Sequence, residues 1–255
     1  DRNAETILKG TESVSGDITV DLCPDADHNV MIAAVFCDAA DIDEGTPSTF
    51  TIGTTQRTYT LIQQLKSDEF HQFSGCQFNG FSLSVGASGT IETTFTVMGA
   101  TLTAAASHAG SGITDVTTSE VVPWTAEDAV VNFNSVDSAV CTEISLNIDN
   151  GMPSLFVVGD NTPIQGHLGK AVVTGSMTVL FDTTTEYDRF LAYGTTAINI
   201  TIGTGGTGIQ FQMPSCKLTS GTVEIASDGA VTASLEFTAL YDASIASSIL
   251  FDNAL

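Results

Sequence analysis

Hydrophobic and polar residues alternate along most of this chain, with Val, Ile, Phe and Thr set against Ser, Thr and Gly. A period of two is the mark of strands buried on one face. The pattern predicts strands at 14–22, 81–85, 90–97, 142–148, 171–181, 197–202, 208–213, 221–225 and 230–240. Turn residues separate them: Gly86-Ala87-Ser88-Gly89 and Ser227-Asp228-Gly229 close hairpins, the second through an Asp-Gly pair suited to positive φ. Helix signals are few. Asp25 can cap a segment reaching Phe36, and Thr184 or Thr185 can cap Glu186 to Tyr193, each following the first strand of its half. The chain reads as all-β with short helices.

The alternation repeats itself. Residues 74–100 fall on 214–240 at a constant offset of 140, which sets Cys76 on Cys216 and Gly89 on Gly229. Phe78, Leu83, Val85, Ile91, Phe95 and Val97 then meet Leu218, Val223, Ile225, Val231, Leu235 and Phe237. An earlier block, Ser15-Gly16-Asp17-Ile18-Thr19-Val20, matches Thr174-Gly175-Ser176-Met177-Thr178-Val179. Two tandem β-sandwich or half-barrel domains arising by internal duplication are expected: the first over 1–110, a linker or packing arm over 111–140 around Trp124, and the second over 141–255. Gly16 to Cys76 spans 60 residues and Gly175 to Cys216 spans 41, so the first half carries 19 extra residues. These fall near 38–56, where Asp38, Asp41, Asp43, Glu44, Gly45 and Pro47 describe an exposed acidic loop. A fused pair of units points to a symmetric assembly rather than a single catalytic cleft.

Charge narrows the function classes. Lys and Arg number 7 against 30 Asp and Glu, a formal charge of −23, so phosphate backbones are repelled rather than gripped. Five cysteines, at 23, 37, 76, 141 and 216, are widely spaced without a CxxC and read as buried free thiols, consistent with assembly in a reducing cytoplasm. No apolar run approaches the ~18 residues of a membrane span. The opening at Asp1, with no Met and no apolar leader, points to an upstream stretch removed or left out.

No motif here carries chemistry. Gly203-Thr204-Gly205-Gly206-Thr207-Gly208 fits G-x-G-x-x-G, but an alternating strand follows where a phosphate site needs a helix N-terminus, so it reads as a glycine hairpin. Asp41-x-Asp43-x-Gly45 lacks the glycine position and distal Glu of a calcium loop. His28, His71, His108 and His167 are dispersed, no G-x-S-x-G occurs, and the sequon Asn199-Ile200-Thr201 sits in a strand pattern. The expectation is a non-enzyme with no catalytic residue, no cofactor and no metal.

Set side by side, these blocks resemble the major tail tube proteins of long-tailed, non-contractile (siphovirus-type) bacteriophages. The residues carrying this are Val14-Ser15-Gly16-Asp17-Ile18, Ser74-Gly75-Cys76 leading into Phe81-Ser82-Leu83-Ser84-Val85, Leu146-Asn147-Ile148-Asp149-Asn150, Gly169 to Val179, and Met213-Pro214-Ser215-Cys216-Lys217-Leu218. The likeness covers most of 10–245. It implies a structural virion protein that polymerises into stacked rings around a lumen, assembled in the host cytoplasm and residing in the tail. Its implied partners are itself, a tape-measure protein, tail terminator and tail-tip proteins, and DNA that passes at ejection without specific binding; no membrane is involved. Six tube domains per ring and two per chain imply a trimeric, pseudo-hexameric ring.

Alternation puts Ile91, Thr93, Phe95 and Val97, with Val231, Ala233, Leu235 and Phe237, toward a core. Glu92, Thr94, Thr96, Thr232, Ser234 and Glu236 then share a wet face, which the resemblance implies is the lumen lining. Glu92 and Glu236 are not equivalent between halves, so their charge is expected in rings of three. Asp41, Asp43 and Glu44 are expected to contact a neighbouring subunit. The alternative is a carbohydrate-binding or adhesin-like β-sandwich module on a virion or cell surface, which one Trp and four Tyr supply with few aromatic platforms.

Overall fold

The computed structural model describes residues 10–38, 49–105, 107, 121–134, 136–137, 141–164, 166–180, 191–203, 208–225 and 230–253. In order, the elements are β1 (Val14–Asp21), α1 (Ala26–Phe36), β2 (Thr49–Thr51), β3 (Tyr59–Lys66), β4 (Glu69–Val85), β5 (Glu92–Gly99), β6 (Thr101–Ala105), a 3-10 turn (Ala126–Asp128), β7 (Ala129–Phe133), β8 (Val136–Asp137), β9 (Cys141–Asp149), β10 (Val172–Leu180), β11 (Thr195–Ile202), β12 (Ile209–Ile225), β13 (Val231–Ala239) and β14 (Leu250–Asp252). The all-β expectation holds. Antiparallel neighbours run in the order β1-β5-β4-β9-β10-β13-β12-β11-β7-β8.

Two 17-residue strands, β4 and β12, organise the rest. The first part of β4 pairs with β3 and β6, and its last part pairs with β5 and β9. In the same way the first part of β12 carries β11 and β14, while β13 runs beside it from Cys216 onward. The strands expected separately at 208–213 and 221–225 are therefore one. Pro214 and Ser215 read as a break, but they fall where the β11 pairing shifts register between Thr196 and Ile198, and a bulge tolerates a residue with no N–H.

The two halves pair in matching register. Gly16 faces Val97 and Ile18 faces Phe95 in β1–β5, as Gly175 faces Phe237 and Met177 faces Leu235 in β10–β13. The β4–β5 ladder shifts between Phe78 and Gly80, and β12–β13 shifts between Leu218 and Ser220, at the repeat offset. The β3–β4 shift between Tyr59 and Leu61 has its counterpart in β11–β12 between Thr196 and Ile198. Even the thiols agree: Cys76 Sγ lies 3.4 Å from the Phe73 carbonyl and Cys216 Sγ 3.7 Å from that of Met213.

A single core joins these halves. β9 pairs with both β4 and β10, and β2 pairs with β14 across the chain. Phe95, Phe81, Phe211 and Phe251 form a file of rings with centroids 5.4, 5.7 and 5.2 Å apart. Trp124 belongs to the same core: its N–H donates to the Leu22 carbonyl, its carbonyl accepts from Ile91, and β7 just after it pairs with β11. The Asn150 side chain, buried, donates to the Val35 carbonyl at 2.8 Å and to that of Phe78 at 3.5 Å, fastening the end of α1 to the β4 bulge. Most of the second helix candidate, the Ser227-Asp228-Gly229 hairpin tip, and Asp41, Asp43 and Glu44 lie outside the described residues.

A polar sheet face as the candidate functional site

Seven consecutive strands, β1, β5, β4, β9, β10, β13 and the last part of β12, turn one face to the core and the other to water. Phe81, Phe95, Leu146, Met177 and Leu235 fill the inner face, each at most 1% exposed. The outer face is built mainly from Ser, Thr, Asn, Asp and Glu, with Val172 and Leu180 exposed among them, because strict alternation delivers every second side chain to it. Glu92, Thr96, Ser234 and Glu236 are exposed there, and Thr94 and Thr232 are half-buried on the same face. The expected wet-face residues are thus on one continuous surface, with three strands between β5 and β13.

Sequence reading missed part of this surface. Asp17 and Asp21 on β1, Glu143 and Asp149 on β9, and Glu224 on β12 are also exposed on it. The alternation at 14–22 and 142–148 was the available signal, but only pairing shows which strands share a sheet. Lys217, before the β12 bulge, is the sole Lys or Arg these seven strands carry among the described residues, and its ammonium donates to the Tyr193 carbonyl. Carboxylates of one sign across one face sum to a field that repels polyanions.

The acids recur in both halves by exchange between strands. Thr96 Oγ1 donates to Asp17 Oδ1 at 2.8 Å across β1–β5, and the matching pair across β10–β13 is Ser176 with Glu236. Each pair holds one carboxylate and one hydroxyl, on opposite strands. The next outward row holds only hydroxyls in both halves, and the one beyond it sets Asp21, Glu92 and Ser84 against Leu180, Thr232 and Glu224, again with acid in both. Glu92 and Glu236 are inequivalent between the halves, and carboxylates nevertheless occur at matched rows of each half.

Chemistry elsewhere is muted. Burial pushes the Cys216 thiol up to about 12 and the Cys141 thiol to about 11, and raises Cys23, Cys37 and Cys76, so the thiolate needed for reactivity is disfavoured. Residues 204–207 of the glycine run lie outside the described residues, but β11 and β12 on either side of it are antiparallel neighbours, with Ile202 facing Ile209, and a strand rather than a helix follows. Gly203, at φ +77°, packs so closely on the Trp124 indole that a Cβ would sit 2.7 Å from Nε1. Among the described residues no three His, Cys, Asp or Glu side chains converge, and no helix is long and apolar enough to cross a membrane.

No curated protein matches the chain. A family model described as phage tail tube protein matches residues 1–239 of its 255. An all-β chain with a broad polar sheet face and that match over nearly its whole length belongs to the phage tail tube protein family, as a structural component of the virion tail.

Proposed function

We propose that three copies of this chain close into a ring of six similar units, that rings stack into the tube, and that the polar face lines its lumen. The observation that carries this reading is the matched register of the two halves, bulge for bulge. Sheet geometry supports closure. Following the hydrogen-bonded row from Asp21 through Glu92, Ser84 and Ser145 leads to Ser176, whereas the counterpart of Asp21 is Leu180, four residues further on. One unit therefore spans four strand spacings, about 19 Å, and is staggered by about 13 Å, a tilt of about 35° that suits a closed barrel. Six units give a backbone diameter of about 45 Å and roughly 30 Å inside the side chains. Four units would leave only about 15 Å, too narrow for a hydrated duplex.

DNA then slides past carboxylates without sticking, and the chain performs no chemical step. A tape-measure protein during growth, with terminator and tail-tip proteins at the ends, completes the reading; assembly takes place in the host cytoplasm. The loop bearing Asp41, Asp43 and Glu44 serves contact between subunits, and deleting Ala39 to Ser48 impairs polymerisation while the chain stays folded. The lumen assignment is tested by Glu92→Lys with Glu236→Lys in assembled virions. Ejection slows in a salt-dependent manner if these side chains face DNA. Ejection kinetics equal to wild type would place them on the exterior.

A further inference from the structure

The connection from β9 to β10 holds apolar side chains in water. It runs through Gly151-Met152-Pro153-Ser154-Leu155-Phe156-Val157-Val158-Gly159, a stretch without a charge. Val158 is fully exposed, and Phe156 and Val157 are 41% and 45% exposed. This tip is braced. The Ile164 N–H donates to the Leu155 carbonyl at 2.9 Å, and Asp160 Oδ1 accepts from the Thr162 N–H at 2.9 Å and from its hydroxyl at 2.8 Å. Its base is clamped to the first half of the chain. The Met152 N–H donates to Asn79 Oδ1 at 2.8 Å, the Gly166 N–H to Oε1 of the buried Gln77 at 2.9 Å, and the Gln56 amide to the Gly166 carbonyl. Apolar side chains held out on a rigid support mark a contact surface that has little ordering entropy left to lose.

A cavity at the other end of the same strand is the complement. Val85 pairs with Ile144 near the start of β9, whereas Gly80 pairs with Asp149 at its end, where the tip begins. At the start, the polar sheet and β7 part around an apolar cavity of about 370 Å³ lined by Val85, Ala129, Val130, Val131, Cys141 and Ile144. Glu143 is the one charged side chain among the described residues that line it.

We propose that the Phe156–Val158 tip of one copy seats in this cavity of a copy in the adjacent ring. The occupant is thus a second copy of this chain, and the inference rests on the ring reading above. Tip and cavity are separated by the length of β9, about 27 Å, and so cannot meet within one chain. A patch that fits a different patch at the far end of an identical molecule makes a head-to-tail contact, which repeats without closing and builds a filament. Charge favours these surfaces: at −23 per chain, copies repel one another, and contact falls where carboxylates are fewest. The area suffices. Each tip exposes about 300 Å² of apolar surface, and three tips with the surface they cover bury about 1,800 Å², within the range of a stable interface. The stretch before β1, matched to the end of this loop, is Gly10-Thr11-Glu12-Ser13 and has no apolar side chain, so among the described residues each chain supplies one tip and each ring three.

The test joins Val158→Cys to Val130→Cys in assembled tubes with a bis-maleimide spanning about 10 Å, two strand spacings. Wild-type tubes treated alike give the background. Covalent ladders longer than three chains are expected, because a link between rings continues along the tube. Products that stop at three chains would place the tip within a ring, and tubes yielding single chains only would leave it in solvent; either overturns the contact while leaving the ring intact. A wild-type chain that forms no rings would overturn both. Val158→Asp gives a readout without added thiols. A melting temperature equal to wild type, intact single rings and at least a tenfold loss of tube length are expected, with Val158→Ile keeping wild-type length. Tubes of normal length from Val158→Asp would contradict the stacking contact.

Discussion

Asn150 is a single amide whose loss the fold should feel. Truncation to Ala strands the Val35 carbonyl in the core, and an unsatisfied buried acceptor costs about 1–3 kcal/mol. Urea unfolding of Asn150→Ala should show a lower midpoint at unchanged slope. Gly175→Ala, whose Cβ has no space against backbone and ring, should lose about 1–3 kcal/mol, whereas Gly16→Ala should change stability by less than about 0.5 kcal/mol. The thiols offer a third check. With Cys216 held up to about 12 and Cys141 to about 11, both should resist maleimide at pH 8 until the chain is unfolded. Because the Cys216 pKa is raised on folding, its contribution is intact below the ordinary thiol value of 9.0 and declines from there toward pH 12, where unfolding releases a proton. At this scale the sequence was legible wherever alternation decides: Ile91 to Val97 point as expected. Asn150 was not, since its partners lie 115 and 72 residues away.

Strands buried on one face announced themselves, and edges did not. β5, β9, β10 and β13 lie within two residues of where the pattern set them, because each alternates cleanly between core and water. β3 was missed because Gln63-Gln64 interrupts its apolar run, and β14 because three residues carry too short a pattern. The β12 strand was split in sequence by Pro214, which only its bulge makes compatible with a ladder. The edge of β1 allows a matching experiment. Leu22 donates to Ile91, just before β5, so by alternation the Thr19 N–H points away from β5, to the edge of β1 that pairs with no strand among the described residues. Thr19→Pro should therefore leave circular dichroism and melting close to wild type while preventing tube formation. Tubes of normal yield would mean that this edge stays unpaired in the assembly.

For the whole molecule, the excess of 30 acidic over 7 basic residues acquires a place as well as a size. Among the described residues seven exposed carboxylates share one face, in rows that recur between halves although individual positions do not. The repeat could be found from one sequence because buried positions keep their alternation, but the exchange of acid between paired strands could not, since it preserves charge across a ladder rather than along the chain. β9, at the start of the second expected domain, pairs with both β4 and β10 and so makes the two halves one sheet. The central claim is that one chain supplies two of six units around the lumen. Cryo-electron microscopy of assembled tubes, with the symmetry and chain count per ring as the readout, tests it most directly. The account predicts threefold rings of three chains with near-sixfold inner walls, and rings of six chains would contradict it.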